Sequence, residues 1–154
     1  MTAAPGLPEA RPSSAAIIRA SDVATVVFVV VAIASAVALS QLKEVVVVVS
    51  GVLFLLGCAA FLWAFAIAVE RSRTDNIGIG GLFFLMGSAP RSVQVRLLGA
   101  FGLQVVVAVA TAALRPFTSQ AFAVLAPMFG LGVAGLWGAR FGTFGPRPTD
   151  DDER

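Results

Sequence analysis

The sequence predicts an all-α fold, a polytopic membrane protein built as a bundle of four transmembrane helices, arranged as two hairpins with an interfacial segment between them. Three observations predict it. Hydrophobic residues make up 58% of the 154-residue chain and charged residues only 13%, against roughly 25% charged in an average soluble domain. Mean hydropathy is +0.90, and a soluble fold of this size would leave large apolar patches facing water. The apolar residues also fall into uncharged runs near the length that crosses a hydrocarbon core, about 20 residues at about 1.5 Å each.

The elements follow in order. Residues 1–22 hold Pro5, Pro8 and Pro12 among small and polar residues. They read as a disordered cytoplasmic tail, with room for a short helical start over 13–19. Residues 23–39 are uncharged and form the first span. A cleaved signal peptide ending at "AVA" is the rival reading, but the run starts late and exceeds the usual apolar length of roughly 7–15 residues. After the connector "SQLKE", residues 45–69 carry no charge and form the second span. The five-valine run within it would suit a strand in water. In a bilayer a lone strand leaves its backbone unpaired, so helix is predicted.

Residues 70–96 interrupt the pattern as a cytoplasmic interfacial loop. Within it, residues 77–86 are apolar but too short to span, so they lie in the interface or dip back toward the helices. Gly78, Gly80 and Gly81 predict irregular backbone at the start of that stretch. The third span is 97–114. Arg115 and Pro116 make a tight turn into the fourth span, 117–139, which Pro127 should bend because it cannot donate to Ala123. Residues 140–154 form a cytoplasmic tail ending in "TDDDER".

Charge sets the orientation. Nine of the eleven basic residues fall in the two tails and the central loop, leaving Lys43 and Arg115 on the other side. The positive-inside rule then puts both termini and the loop in the cytoplasm, with the protein in a bacterial plasma membrane. Trp63 and Trp137 lie toward the cytoplasmic ends of their spans, where amphipathic rings anchor. An Ala-, Val-, Gly- and Arg-rich composition points to a GC-rich bacterial genome.

Function is harder to read. "GLGVAG" at Gly130–Gly135 matches the G-x-G-x-x-G nucleotide fingerprint. That chemistry needs a strand before it and a helix after it, and here the match lies inside an apolar span. The glycines read better as a helix-packing face: Gly130, Ala134 and Gly138 are small-xxx-small, and Gly135, Gly138 and Gly142 continue the stripe. Small residues at Ala32, Ala36 and Ser40, at Ala60, Ala64 and Ala68, and at Ala108 and Ala112 would let the other spans approach closely. The spans hold no ionisable group, the usual mark of a transport path. Gln104 is the strongly polar side chain near a midplane, suited to an interhelical hydrogen bond or, alternatively, to a pore lining. Cys58 lies mid-span and reads as packing.

With no His and no Tyr, no Ser-His, Cys-His or metal constellation can be built. The expectation is a non-enzymatic protein with no cofactor and no nucleic-acid partner. Arg71, Arg73, Arg91 and Arg96 border the apolar loop segment. They suit membrane lipids with anionic headgroups, or a protein partner; the plain alternative is that they only set topology.

Within residues 82–147, "GSAPR", "RPFT", "AFAVLAPMFGLG" and "GLWGARFGTF" resemble a group of small four-span membrane proteins of unknown function from actinobacteria. The resemblance implies an inner-membrane protein and assigns no functional residue. The sequence reading is therefore an accessory or scaffold subunit that packs as a homo-oligomer or on another membrane protein. The alternative is a small oligomeric channel or transporter.

Overall fold

A computed structural model describes residues 12–37, 43–114 and 118–147. Among the described residues five α-helices form in chain order: α1 (Pro12–Val37), α2 (Lys43–Arg71), the short α3 (Ile79–Phe83), α4 (Arg91–Leu114) and α5 (Pro127–Phe141). A 3-10 helix, Ser119–Leu125, leads into α5. Among the described residues four helical stretches are long and apolar enough to cross a membrane: Ser13–Val37, Glu44–Arg71, Arg91–Leu114 and Ser119–Phe141. The all-α bundle read from the uncharged runs is the fold observed.

Several boundaries differ from the sequence reading: α4 begins at Arg91 and not at residue 97, and Gly80 and Gly81, read as irregular backbone, lie within α3. The expected tail of 1–22 is helical from Pro12 onward; residues 1–11 lie outside the described residues. Pro12 is tolerated at the helix start, where its missing N–H costs nothing, and Ile17 and Ile18 on the next turn pack against the core. The fourth span is two helices in series. Pro127 removes the donor that would close the α-turn, and the preceding segment tightens to 3-10, capped by Thr118 Oγ1 accepting from the Gln120 N–H at 3.4 Å. The predicted Arg115–Pro116 turn lies outside the described residues.

The most extensive packing joins helices that are not chain neighbours: α2 lies on α5, and α1 on α4. Both pairs run parallel. Gly57, Ala64 and Arg71 on α2 meet Met128–Gly132, Gly135 and Ala139–Gly142 on α5, in the same direction. Asp22 and Thr25 on α1 meet Arg96 and Gln104 on α4. One end of the bundle therefore gathers the start of α1, the end of α2, α3, the start of α4 and the end of α5.

The last span is the centre of the bundle. Of its apolar window 56% is buried, against 22–28% for the others. The outer faces of α1, α2 and α4 expose Val23, Val30, Leu55, Leu62, Val106 and Leu114, which suits a perimeter in contact with lipid chains. In water that perimeter would be an aggregation surface.

Between α2 and α4 the chain folds back on the bundle. Leu82, Phe83 and Leu85 are buried, while Ile79, Phe84 and Met86 are exposed. Phe83 stacks on Phe61 of α2, ring centroids 4.7 Å apart. The reversal after α3 uses two left-handed residues, Leu85 at φ 55° and Gly87 at φ 71°. Leu85 is an uncommon residue for that conformation; its side chain is fully buried against α5 at Gly138.

Candidate functional site: the arginine-bearing end and the glycine face

The glycine face of α5 is filled from within the chain. A Cβ on Gly132 would collide with the Gly57 carbonyl of α2, and one on Gly57 would sit 2.5 Å from the Met128 and Phe129 backbone. No side chain can be inserted where two backbones touch, so these glycines are what lets α2 and α5 approach. Gly135 holds the Phe83 ring, and Gly138 lies against the Leu82 carbonyl. Gly130 leaves room for the Phe101 backbone and the Gln104 amide of α4. Ala134 is fully buried, and Gly142 lies under the Phe144 ring. The stripe meets α2, α3 and α4 at once and is not presented outward.

Polar ties fix which helices pair. Gln104 is fully buried and donates from Nε2 to Thr25 Oγ1 on α1 at 2.7 Å; Thr25 Oγ1 donates in turn to the Ser21 carbonyl at 2.7 Å. Nearer the other end, buried Gln120 donates from Nε2 to the Ser35 carbonyl at 2.9 Å. The amide oxygens of both glutamines, the hydroxyls of Ser21 and Ser50 and the Trp137 indole N–H are buried without a hydrogen-bond partner among the described residues. Interhelical bonds of this kind contribute about 0.6–1.7 kcal/mol in a membrane. We expect Gln104→Leu to destabilise the bundle by about 1 kcal/mol. A double-mutant cycle with Thr25→Val, read by unfolding in mixed micelles, should recover most of that as coupling.

At the charged end the arginines divide. Arg71 ends α2 and points into the bundle. Its Nη1 donates to the Ala139 carbonyl at 2.7 Å, its Nη2 to the Gly142 carbonyl at 3.2 Å, and Nε and Nη2 hold Asp75 at 3.1 and 2.8 Å. Its guanidinium also lies 5.3 Å from the Phe144 ring centre. A cation at the end of α5 meets the orphan carbonyls and the negative end of the helix dipole. The chain after α5 is then sewn to the loop after α2. The Asn76 N–H donates to the Gly145 carbonyl at 2.8 Å, the Arg147 N–H to the Thr74 carbonyl at 3.0 Å, and Arg147 Nη1 to the Ser72 carbonyl at 3.1 Å. Thr143 N–H donates to the Ser88 carbonyl at 2.9 Å, closing the loop before α4.

Arg96 pairs with Asp22 of α1 at 2.6 Å on an exposed surface, a pair that contributes little on its own but links the starts of α1 and α4. Arg73 and Arg91 are exposed. The four loop arginines expected to act together thus separate: Arg71 is tied into the bundle, Arg96 is paired with Asp22 at the surface, and Arg73 and Arg91 are exposed without an ion pair among the described residues. Two shallow hollows lie beside the sewn segment. One, about 360 Å³, is lined by Ser72, Asp75, Asn76, Ile77 and Arg147; the other, about 380 Å³, lies between Gly81, Met86 and Phe144. Among the described residues no group of three or more His, Cys, Asp or Glu gathers.

The chain matches no family model, no curated protein and no solved structure. Its reading therefore rests on its own residues.

Sequence reasoning missed several of these. Gly57 was overlooked because its neighbours at four-residue spacing are not small; the signal was the seven-residue line Ser50, Gly57, Ala64, all buried. Gln120 sits too near a span end to draw attention. The two tryptophans were read alike, yet Trp137 is 5% exposed and part of the core, while Trp63 is 61% exposed. Trp137 is not an interfacial anchor, because α5 is surrounded on that side and α2 is not.

Proposed function

We propose that this chain is a non-enzymatic accessory or scaffold subunit of a bacterial plasma membrane, both termini cytoplasmic. The observation that carries the reading is how the interior is used. Its buried glutamines bind helix to helix, Gln104 to Thr25 and Gln120 to Ser35, and its glycine face is spent on close backbone contact. Such a bundle is a preassembled body whose remaining surface is an apolar perimeter and a basic end. Collection of Arg19, Arg73, Arg91, Arg140 and Arg147 at one end supports the cytoplasmic assignment of that end. A partner, whether a second copy or another membrane protein, would meet the outer faces of α1, α2 or α4 and not the stripe on α5.

Affinity purification in mild detergent tests this. We expect a complex of fixed stoichiometry through size exclusion; a single-copy protein with no companion overturns the proposal. One observation favours a channel or transporter as the second reading. The oxygens of Gln104, Gln120, Ser21 and Ser50, without a hydrogen-bond partner among the described residues, are polar atoms in an apolar interior. Flux through liposomes that falls with Gln104→Leu would support it, and a tight reconstituted protein would remove it.

A further inference from the structure

Arg140 occupies a different position from the other arginines. It lies in the last turn of α5, one residue beyond the Ala139 carbonyl that Arg71 holds at the bundle end. Yet its guanidinium is turned back over the Trp63 ring of α2, 5.8 Å from the ring centre. Trp63 precedes Arg71 by eight residues, about 12 Å along the helix. A hydrocarbon core of about 30 Å centred on the 29-residue α2 puts the Trp63 backbone about 6 Å inside the boundary. Both side chains are exposed, and Arg140 has no carboxylate partner among the described residues.

A cation held against that ring near the membrane boundary, with no carboxylate partner among the described residues, attracts an anionic headgroup. Its stem can snorkel and its planar fork matches a phosphate bidentately. The ring face holds the guanidinium in place by cation–π attraction, and the indole N–H offers a further donor. Below the ring, toward the membrane centre, Ala59, Leu56 and Val52 continue the same exposed face of α2 at helical spacing. They provide a track for an acyl chain. We propose that Trp63 and Arg140 form a binding site for one anionic phospholipid, its phosphate on Arg140 and its chain along α2. This rests on the membrane reading and goes beyond the scaffold proposal, since it names a ligand and its site.

Tryptophan fluorescence in detergent micelles provides the test, because Trp137 is buried and Trp63 is the accessible reporter. A short-chain phosphatidylglycerol should give a saturable change. The phosphocholine lipid of the same chain length and sodium phosphate alone should not. Trp63→Phe should remove the signal. Followed by competition with a fluorescent lipid, Arg140→Gln should raise the half-saturation concentration about fivefold, while Arg73→Gln, equally exposed, should change it less than twofold. An unaltered Arg140→Gln response, an equal loss for Arg73→Gln, or equal binding of the phosphocholine lipid overturns the site. Alkaline carbonate extraction of native membranes is scored separately: a protein released by it would overturn the membrane reading itself.

Discussion

Gly132→Ala should unfold or loosen the bundle, with a loss of about 3 kcal/mol or more for the addition of one methyl group. The reason is what the methyl meets. Elsewhere in a membrane interior an added carbon displaces the end of a side chain, which can turn away. At Gly132 it meets the Gly57 carbonyl of α2, and backbone yields only by moving the helix. Gly57→Ala strikes the Met128 and Phe129 backbone from the other side and should cost as much. Gly51→Ala and Gly102→Ala are the matched controls, since a Cβ at either position has nothing within 4 Å. They should leave the unfolding midpoint in mixed micelles unchanged or slightly raised. Equal behaviour of the two pairs would mean that α2 and α5 do not touch as described.

Arg71→Met should release the chain after α5. The substitution keeps the apolar stem but removes the donors to the Ala139 and Gly142 carbonyls and leaves Asp75 without its cation. Hydrogen bonds from charged donors contribute about 1.5–3 kcal/mol; with a third of the Arg71 side chain exposed, the lower part of that range applies. We expect about 2 kcal/mol of destabilisation, concentrated at the basic end. The readout is local. Amide exchange at Asn76 and Arg147, whose N–H groups bond across the two segments, should quicken before exchange within α2 or α4 does. Asp75→Asn should do less, because the carbonyl contacts of Arg71 survive it. Exchange that stays slow at Asn76 and Arg147 in Arg71→Met would show that the backbone bonds hold the segment without the guanidinium.

The elements of this fold were legible where a single property defines them. α2 is an uncharged run flanked by charges, and its observed limits, Lys43–Arg71, add only a residue or two at each side. The start of α1 was legible only as room for a short helical start over 13–19, not as one helix continuous with the first span. Ser13, Ser14, Arg19 and Asp22 look like a solvated tail, and only the packing of Ile17 and Ile18, with the Asp22–Arg96 pair, makes them helix. The glycine stripe was visible as a packing face, but its partner was not. Small residues signal that something approaches closely, and the pattern is the same whether that is another molecule or the chain's own α2.

Charge was equally double-edged. Counting arginines gave one end of the bundle its basic character, and the fold does gather them there. Counting could not separate Arg71, spent on α5 carbonyls, from Arg73, facing outward two residues later. Nor could it find the pairing of Arg140 with Trp63, which lie 77 positions apart. That pairing depends on α2 and α5 running parallel, a consequence of the single long helix, α4, that lies between them in the chain.

The same parallel arrangement can be tested in one measurement. In a Cys58→Ala background, single cysteines at Arg73, Gly145 and Val37 are exposed to a membrane-impermeant maleimide in intact spheroplasts and in inside-out vesicles. Arg73 and Gly145 flank the sewn segment at the basic end, and Val37 ends α1 at the other. Arg73→Cys and Gly145→Cys should react only in inside-out vesicles and Val37→Cys only in spheroplasts. Labelling of Arg73→Cys and Gly145→Cys from opposite sides would contradict a membrane-spanning bundle whose second and last helices end on the same cytoplasmic face.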